Sequence, residues 1–268
     1  MHLRRSLAIL LLLVMLPLAS WKVYLPIMAT AQESGKAGVG LWLEDPSACQ
    51  VLDLLDVAWY YTGPTDCPGH EYVAYIAKEW SFTWVEATPY TLLWNEPEYS
   101  PSSMDDMVSA FVPYVEQYPD TVWVGPCPAY DLVWFTMFWE RFEQVAGYEM
   151  PRERIRMCFH CYDSAANCAV RLERAKALGY PVWVTEFGRP LGLDMTLRQQ
   201  AEDTAQMVAI LESDPQVERY AYWPATYRPG WEVPGLTWMP LAVPLVGWDQ
   251  ETVVGYTLTL VGQTYAGQ

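Results

Sequence analysis

From Gly38 onward, short apolar or aromatic runs alternate with longer polar segments of helical period. Repeated βα units produce this pattern, because each parallel strand needs a crossover before the next strand can pair with it. We predict eight strands, at Gly38–Trp42, Val57–Tyr61, Glu71–Ile76, Thr91–Asn95, Thr121–Val124, Arg156–Tyr162, Pro181–Glu186 and Val217–Trp223. The predicted fold class is therefore α/β, in the form of a single (β/α)8 barrel.

Four segments have the clearest helical period, and they are Ser103–Gln117, Leu132–Ala146, Ala165–Leu178 and Leu197–Leu211. Residues 78–89, after the third strand, show no clear period, so the third unit is the least marked. The tail from Val253 to Tyr265 is rich in β-branched residues. We expect this tail to close the barrel with a strand and a short terminal turn.

An open doubly wound sheet is the rival topology for alternating elements. Its dinucleotide-binding form needs a glycine-rich turn after the first strand, whereas GVGLW is followed here by LEDP. Serine-elbow, P-loop and HExxH motifs are also missing from the sequence. We therefore expect a barrel that uses no cofactor and no metal.

The N-terminal stretch has the order of a secretory signal. Arg4 and Arg5 precede an apolar run from Leu7 to Ala19, and an A-x-A site lies at 29–31. We predict a signal peptide at 1–31 and one barrel at 32–268, close to the ~250 residues typical of this fold. The apolar run is shorter than the ~20 residues that span a bilayer, which favours cleavage and secretion over stable membrane insertion. An uncleaved anchor is the alternative, since residues 21–28 are also mildly apolar.

Charge and cysteine content limit the partners. A formal net charge of −16 repels phosphate backbones, which argues against a nucleic-acid partner, and we expect a monomer. Six cysteines in an exported chain indicate disulfides, with Cys161–Cys168 as the expected local pair. A structural zinc site at Cys158 and Cys161 is the weaker alternative, because no second pair follows at zinc-ribbon spacing.

Two segments end an apolar strand in a glutamate, namely LLWNEPEY with Glu96 and PVWVTEFG with Glu186. Catalytic groups of parallel barrels lie at the carboxyl ends of the strands, and predicted strands four and seven face each other across the mouth. Alternation would place Val182, Val184 and Glu186 on the inward face and Trp183 in the helix layer. Paired carboxylates at this place suit the retaining hydrolysis of a glycoside, which takes an acid and a nucleophile.

The sequence resembles clan A glycoside hydrolases, through Asn95-Glu96-Pro97 and Thr185-Glu186-Phe187. Within that clan it most resembles glycoside hydrolase family 128 and the related "alkali-sensitive linkage" type catalytic domains. The other segments that carry the resemblance are AWYYTGP (58–64), FHCY (159–162), VERYAYW (217–223) and LTLVGQTYA (258–266).

The resemblance implies that Glu96 is the acid/base, that Glu186 is the nucleophile, and that Asn95 binds the sugar hydroxyl beside the scissile bond. It also implies that His160 and Tyr162 line the site, with Tyr162 orienting Glu186. One departure concerns the aromatic residue of strand eight, where Tyr222 holds the expected tryptophan position and Trp223 follows it. Either residue could form the sugar platform, and the resemblance further predicts a cis peptide at Trp223–Pro224.

Fourteen tryptophans and eighteen tyrosines exceed what a core requires, and their rings stack well on sugars. Trp42, Trp59, Trp94 and Trp223 lie near predicted strand ends and are candidates for the binding cleft. The predicted partner is a polysaccharide or oligosaccharide, and the predicted function is a retaining endo-β-1,3-glucanase. The alternatives are a clan A enzyme for another β-glycan and a barrel that binds carbohydrate without cleaving it.

Overall fold

The computed structural model describes residues 35–41, 46–76, 85–189, 195–226, 240–246 and 253–267. Eight parallel strands form a closed barrel in chain order, and β1 pairs with β8 at Gly38 and Ala221 to complete it. The strands are β1 Ala37–Gly40, β2 Trp59–Tyr61, β3 Glu71–Ile76, β4 Tyr90–Leu93, β5 Val122–Val124, β6 Ile155–Cys161, β7 Val182–Phe187 and β8 Val217–Tyr222. The predicted (β/α)8 barrel is confirmed, and each strand overlaps its predicted segment.

Six α-helices are described, and most of them cover the outside of the barrel. They are α1 Cys49–Leu55, α2 Met104–Gln117, α3 Val133–Ala146, α4 Ala165–Lys176, α5 Leu197–Ser213 and α6 Leu260–Tyr265. Helices α2 to α5 begin and end within two residues of their predicted bounds. Side-chain caps fix three of these starts, since Ser103, Ser164 and Thr196 each accept a hydrogen bond from the backbone N–H three residues on.

The barrel interior is filled by aromatic rings instead of a polar channel. Trp59 and Trp183 are fully buried there, with ring centroids 5.0 Å apart, and Tyr61 lies in the same cluster nearer the mouth. The glycines of β1 leave space for these rings, because a Cβ at Gly38 would clash with the Trp59 ring and a Cβ at Gly40 would clash with the Trp223 ring. The interior is therefore a packed core below the mouth, as in other barrels of this size.

The C-terminal tail does not close the barrel, contrary to the prediction. Its strand, β10 Val253–Leu258, pairs antiparallel with β9 Ala242–Val246 in a separate two-stranded sheet. The terminal turn is helix α6, whose Tyr265 donates a hydrogen bond to the Gly38 carbonyl at 2.7 Å. The tail thus contacts the first strand from outside the barrel. It adds no strand to the barrel, because β8 already pairs with the free edge of β1.

All six cysteines form disulfides, and the predicted Cys161–Cys168 pair is confirmed. The other bridges are Cys49–Cys67 and Cys127–Cys158, with Cα atoms 5.3 and 4.8 Å apart. Cys127–Cys158 ties the loop after β5 to β6 beside the barrel mouth. Thiols that are paired in this way do not form the zinc site that was the weaker alternative.

Three sequence predictions fall partly or wholly outside the described residues, namely the signal peptide, the poorly marked segment 78–89 and Trp42. In the ranges that are described, no helix has both the length and the apolar character required to cross a membrane.

Candidate active site

Two carboxylates and one imidazole meet at the mouth of the barrel. Glu96 follows β4, Glu186 lies near the end of β7, and His160 lies on β6 between them. His160 Nδ1 is 3.0 Å from Glu96 Oε1 and 3.4 Å from Glu186 Oε2. Oxygen atoms of the two carboxylates lie within 4.8 Å of each other. The structure therefore brings together the two glutamates that the strand-end pattern singled out.

A bulge in β7 aims Glu186 at the mouth. Against β6, Phe159 pairs with Val184 while His160 pairs with Glu186, so Thr185 is an extra residue without a partner position. The same shift appears against β8. The alternation prediction was wrong on this point, because Val182 and Val184 pack outside the barrel and Trp183 packs inside it. The extra residue reverses the alternation and returns Glu186 to the inward side.

The chain around Glu96 is held in an unusual backbone conformation. Both Trp94 and Glu96 have positive φ angles, 51° and 42°, which side-chain-bearing residues adopt at a cost. Backbone hydrogen bonds from Glu96 N–H to Cys127 O and from Cys127 N–H to Trp94 O, both 3.0 Å, tie the segment to the loop after β5. Because that loop is joined to β6 by the Cys127–Cys158 disulfide, Glu96 is positioned by two neighbouring strands.

Burial and mutual charge shape the ionisation of the site. Burial raises the pKa of Glu186, and His160 and the Tyr162 hydroxyl counter part of that effect while Glu96 adds to it. At His160, burial opposes protonation, but attraction to Glu186 and Glu96 outweighs it and raises the pKa. His160 Nε2 is buried and has no hydrogen-bond partner among the described residues. The imidazole therefore contacts the two carboxylates through Nδ1.

Three tyrosines surround the carboxylates. Tyr162 donates its hydroxyl hydrogen to Glu186 Oε2, Tyr61 donates to the Thr185 carbonyl at 2.9 Å, and Tyr75 donates to Asn95 Oδ1 at 2.7 Å. Burial raises the pKa of each of these tyrosines well above the usual range, so the hydroxyls remain donors. The family resemblance implied roles for Tyr162 and Asn95 but not for Tyr61 or Tyr75. Their inward positions at the mouth ends of β2 and β3 were the available signal.

The candidate sugar platform is Trp223. Its half-buried ring stacks on Tyr61, with centroids 5.8 Å apart and planes 15° apart, and the following peptide bond to Pro224 is cis as predicted. Tyr222 cannot serve as a platform, because it is 1% exposed and packs with Phe187 and Tyr265 outside the barrel. The choice between the two residues therefore falls on Trp223.

Two other tryptophans proposed for the cleft lie elsewhere. Trp59 is fully buried in the barrel interior and donates its indole hydrogen to the Lys36 carbonyl at 2.9 Å, next to the start of β1. Trp94 is 2% exposed and belongs to the outer core. Trp59 begins β2, so its ring fills a lower layer of the barrel than Tyr61, and Trp94 follows the end of β4 at Leu93.

A parallel barrel that presents two facing carboxylates at its mouth is the architecture of a glycoside hydrolase. The sequence model of the family described as "Glycosyl hydrolase catalytic core" matches residues 77–232, which is more than half of the chain. The protein belongs to this family and is a glycoside hydrolase. A search of curated proteins finds no match to the sequence.

Solved structures with the same fold include enzymes of glycoside hydrolase family 128. An endo-β-1,3-glucanase from Pseudomonas viridiflava is 21% identical with a TM-score of 0.61, over 87% of this chain and 97% of that one. One from Amycolatopsis mediterranei, in complex with laminaripentaose, is 18% identical with a TM-score of 0.62, over 87% and 98%. An exo-β-1,3-glucanase from Cryptococcus neoformans is 18% identical with a TM-score of 0.53, over 70% and 85%. At these identities the likeness concerns the fold.

Proposed function

We propose that the protein is a retaining endo-β-1,3-glucanase in which Glu96 is the acid/base and Glu186 is the nucleophile. The observation that carries this proposal is the separation of the two carboxylates, whose oxygens lie within 4.8 Å. Retaining enzymes place their carboxyl groups about 5–5.5 Å apart, whereas inverting enzymes leave about 6.5–9.5 Å for a water molecule. The short separation favours direct attack by one carboxylate on the sugar.

The surroundings of each glutamate support its role. Tyr162 donates to Glu186 Oε2 and so holds that carboxylate in one orientation, which leaves Oε1 to attack the anomeric carbon. Burial raises the pKa of Glu186, which alone would suit an acid, but Tyr162 and His160 stabilise its charged form. The Glu96 side chain is 17% exposed against 8% for Glu186, which gives the leaving oxygen and the second-step water access to Glu96.

Two further residues would hold the sugar at the scissile bond. Tyr75 donates its hydroxyl hydrogen to Asn95 Oδ1, so a sugar hydroxyl would accept a hydrogen bond from the Asn95 amide group. Trp223 presents an aromatic face beside the carboxylates, which fits the C–H face of a sugar ring. In this proposal Asn95 and Trp223 bind the sugar, and His160 and Tyr162 line the site beside it, as the resemblance implies.

The endo-β-1,3-glucanases with the same fold support β-1,3-glucan as the substrate, and one of them is in complex with laminaripentaose. The three disulfides support the predicted export, because disulfides persist in oxidising compartments. The signal peptide at 1–31, the single catalytic domain at 32–268 and the monomeric state remain predictions.

A panel of polysaccharides tests the substrate. We expect soluble β-1,3-glucan to release oligosaccharides of several lengths early in the reaction, at a rate at least about tenfold above that for mannan, xylan or cellulose. Chromatography of the products over time measures both rate and length. Faster release from another β-glycan would assign the enzyme to that specificity. Binding without release of products would identify a carbohydrate-binding barrel instead.

The hydrogen bond from Tyr162 to Glu186 leads to a second prediction, which concerns the pH dependence of activity. That bond lowers the pKa of Glu186, so Tyr162→Phe should raise it. Because a nucleophile must be ionised, activity is lost as pH falls through this pKa, and the acidic limb of kcat/KM should move to higher pH. The exposed Tyr148, at the far end of α3, provides the control Tyr148→Phe. A Tyr162→Phe profile that keeps its acidic limb in place would contradict the proposed contact.

A further inference from the structure

Two exposed tyrosines lie at the mouth of the barrel on the Glu96 side. Among the described residues, three aromatic side chains are strongly exposed, namely Tyr99 at 51%, Tyr130 at 71% and Tyr148 at 41%. Tyr99 and Tyr130 contact each other edge to face, with ring centroids 6.2 Å apart and planes at 87°. We call this exposed pair of perpendicular rings, Tyr99 and Tyr130, the tyrosine corner.

Hydrogen bonds join the loops that carry the tyrosine corner to the Glu96 segment. The Tyr99 N–H donates to the Glu96 carbonyl at 2.9 Å, within the short helix Pro97–Tyr99 that follows the proposed acid/base. The Tyr130 N–H donates to Glu98 Oε1 at 2.7 Å, which joins the two loops that carry the rings. The Arg171 guanidinium also lies 5.9 Å from the Tyr130 ring centroid. These bonds hold the backbone of both ring-bearing loops next to the Glu96 segment.

The corner and the Trp223 platform lie on opposite sides of the carboxylates. Trp223 follows β8 and covers Gly40 of β1, whereas Tyr99 and Tyr130 follow β4 and β5. In the proposed reaction Glu96 protonates the glycosidic oxygen, so sugars of the leaving group lie beyond Glu96 from the sugar that Glu186 attacks. A glycan that crosses the mouth from Trp223 over the carboxylates would next reach the two tyrosines.

We propose that Tyr99 and Tyr130 form a binding subsite for the leaving-group sugars of the glycan, an inference that rests on the proposed retaining function. Tyrosine rings offer apolar faces to sugar C–H groups, and their hydroxyls offer hydrogen bonds to sugar hydroxyls. Two rings make a patch far smaller than the ~1,000 Å² or more of a stable protein interface, which favours a sugar over a protein as the occupant.

The same subsite would hold an acceptor sugar in the second half of the reaction. An acceptor hydroxyl can replace water in attacking the glycosyl–Glu186 ester. Its proton then passes to the Glu96 carboxylate, the bond to Glu186 breaks, and a longer glycan is released. Occupancy of the tyrosine corner therefore controls both the cleavage of long chains and the ratio of transfer to hydrolysis.

The test compares the double variant Tyr99→Ala/Tyr130→Ala with wild type on two substrates. On β-1,3-glucan oligosaccharides we expect kcat/KM and the ratio of transfer to hydrolysis each to fall about tenfold or more. An aryl β-glycoside carries no leaving-group sugar, so its kcat/KM should fall by less than about threefold. Tyr99→Phe/Tyr130→Phe keeps the rings and should retain most activity, and Tyr148→Ala serves as an exposed-tyrosine control.

Three results would overturn the subsite. An equal fall on both substrates would show that the rings only support Glu96, and no fall on either would show that the glycan does not reach them. The third is oligosaccharide binding that the double alanine change leaves unaltered in the inactive Glu186→Gln background. If the wild-type protein cleaved no glycan while the double change still weakened oligosaccharide binding, the proposed hydrolysis would fail and the aromatic contact would stand.

Discussion

Glu186→Gln should abolish nearly all activity on every glycoside, with a loss on the order of 10⁴-fold or more, as expected when an enzyme loses its nucleophile. The substitution keeps the size of the side chain but removes the charge that attacks the anomeric carbon, so no covalent glycosyl-enzyme can form. Because leaving-group activation does not replace a nucleophile, an aryl glycoside should be affected as severely as the natural glycan. Initial rates on both substrates measure the loss.

Two further measurements test the assignment of Glu186 as the nucleophile. Glu140→Gln, an exposed position on helix α3, is the matched control and should keep wild-type rates. Mass spectrometry of wild-type enzyme with a slow, activated substrate should find a sugar on the peptide that contains Glu186, and the Glu186→Gln variant should carry none. A Glu186→Gln enzyme within tenfold of wild type, or an adduct on another residue, would remove Glu186 from the nucleophile role.

The barrel and its helices could be predicted because local patterns determine them. Each strand is a short apolar or aromatic run, and the polar segments between them carry helical period and capping residues such as Ser103 and Ser164. The positions of Glu96 and Glu186 at strand ends followed from the same pattern. The strand β9 was missed because Ala242–Val246 is defined by its pairing with the tail and not by a βα repeat.

The side-chain directions within the site could not be predicted in the same way. Strict alternation placed Trp183 outside the barrel, but the bulge at Thr185 reverses the alternation between Trp183 and Glu186. A bulge depends on how two neighbouring strands pair, and the sequence of one strand carries no mark of it. The depth of Trp59 in the barrel likewise depends on the register of β2 against β1 and β3. In that register Tyr61, and not Trp59, lies at the mouth.

The choice between Tyr222 and Trp223 illustrates the same limit. The resemblance placed the platform at one of two adjacent residues, and adjacent residues on a strand point to opposite faces. In the structure Tyr222 packs with Phe187 and Tyr265 in the outer core, while Trp223 stacks on Tyr61. Contacts with α6 and β2, which are distant in the sequence, therefore decide which ring can meet a sugar.

Glu96→Ala should separate the two steps of the reaction. The natural glycan needs its leaving oxygen protonated, so its cleavage should fall by about 10²–10⁴-fold. An aryl glycoside with a good leaving group needs little protonation and should still form the glycosyl-enzyme, seen as a burst of released aryl group. The second step then lacks the base that activates water, so steady turnover should remain slow.

Added azide should restore that turnover, because azide attacks without first losing a proton. The glycosyl azide should keep the anomeric configuration of the substrate, since two inversions at one carbon give net retention, and proton NMR of the product measures this. Glu140→Ala should show neither the burst nor the rescue. If azide rescues Glu186→Ala and leaves Glu96→Ala inactive, the two roles are reversed. If wild-type enzyme releases sugar of inverted configuration, the carboxylates do not act by a covalent intermediate at all.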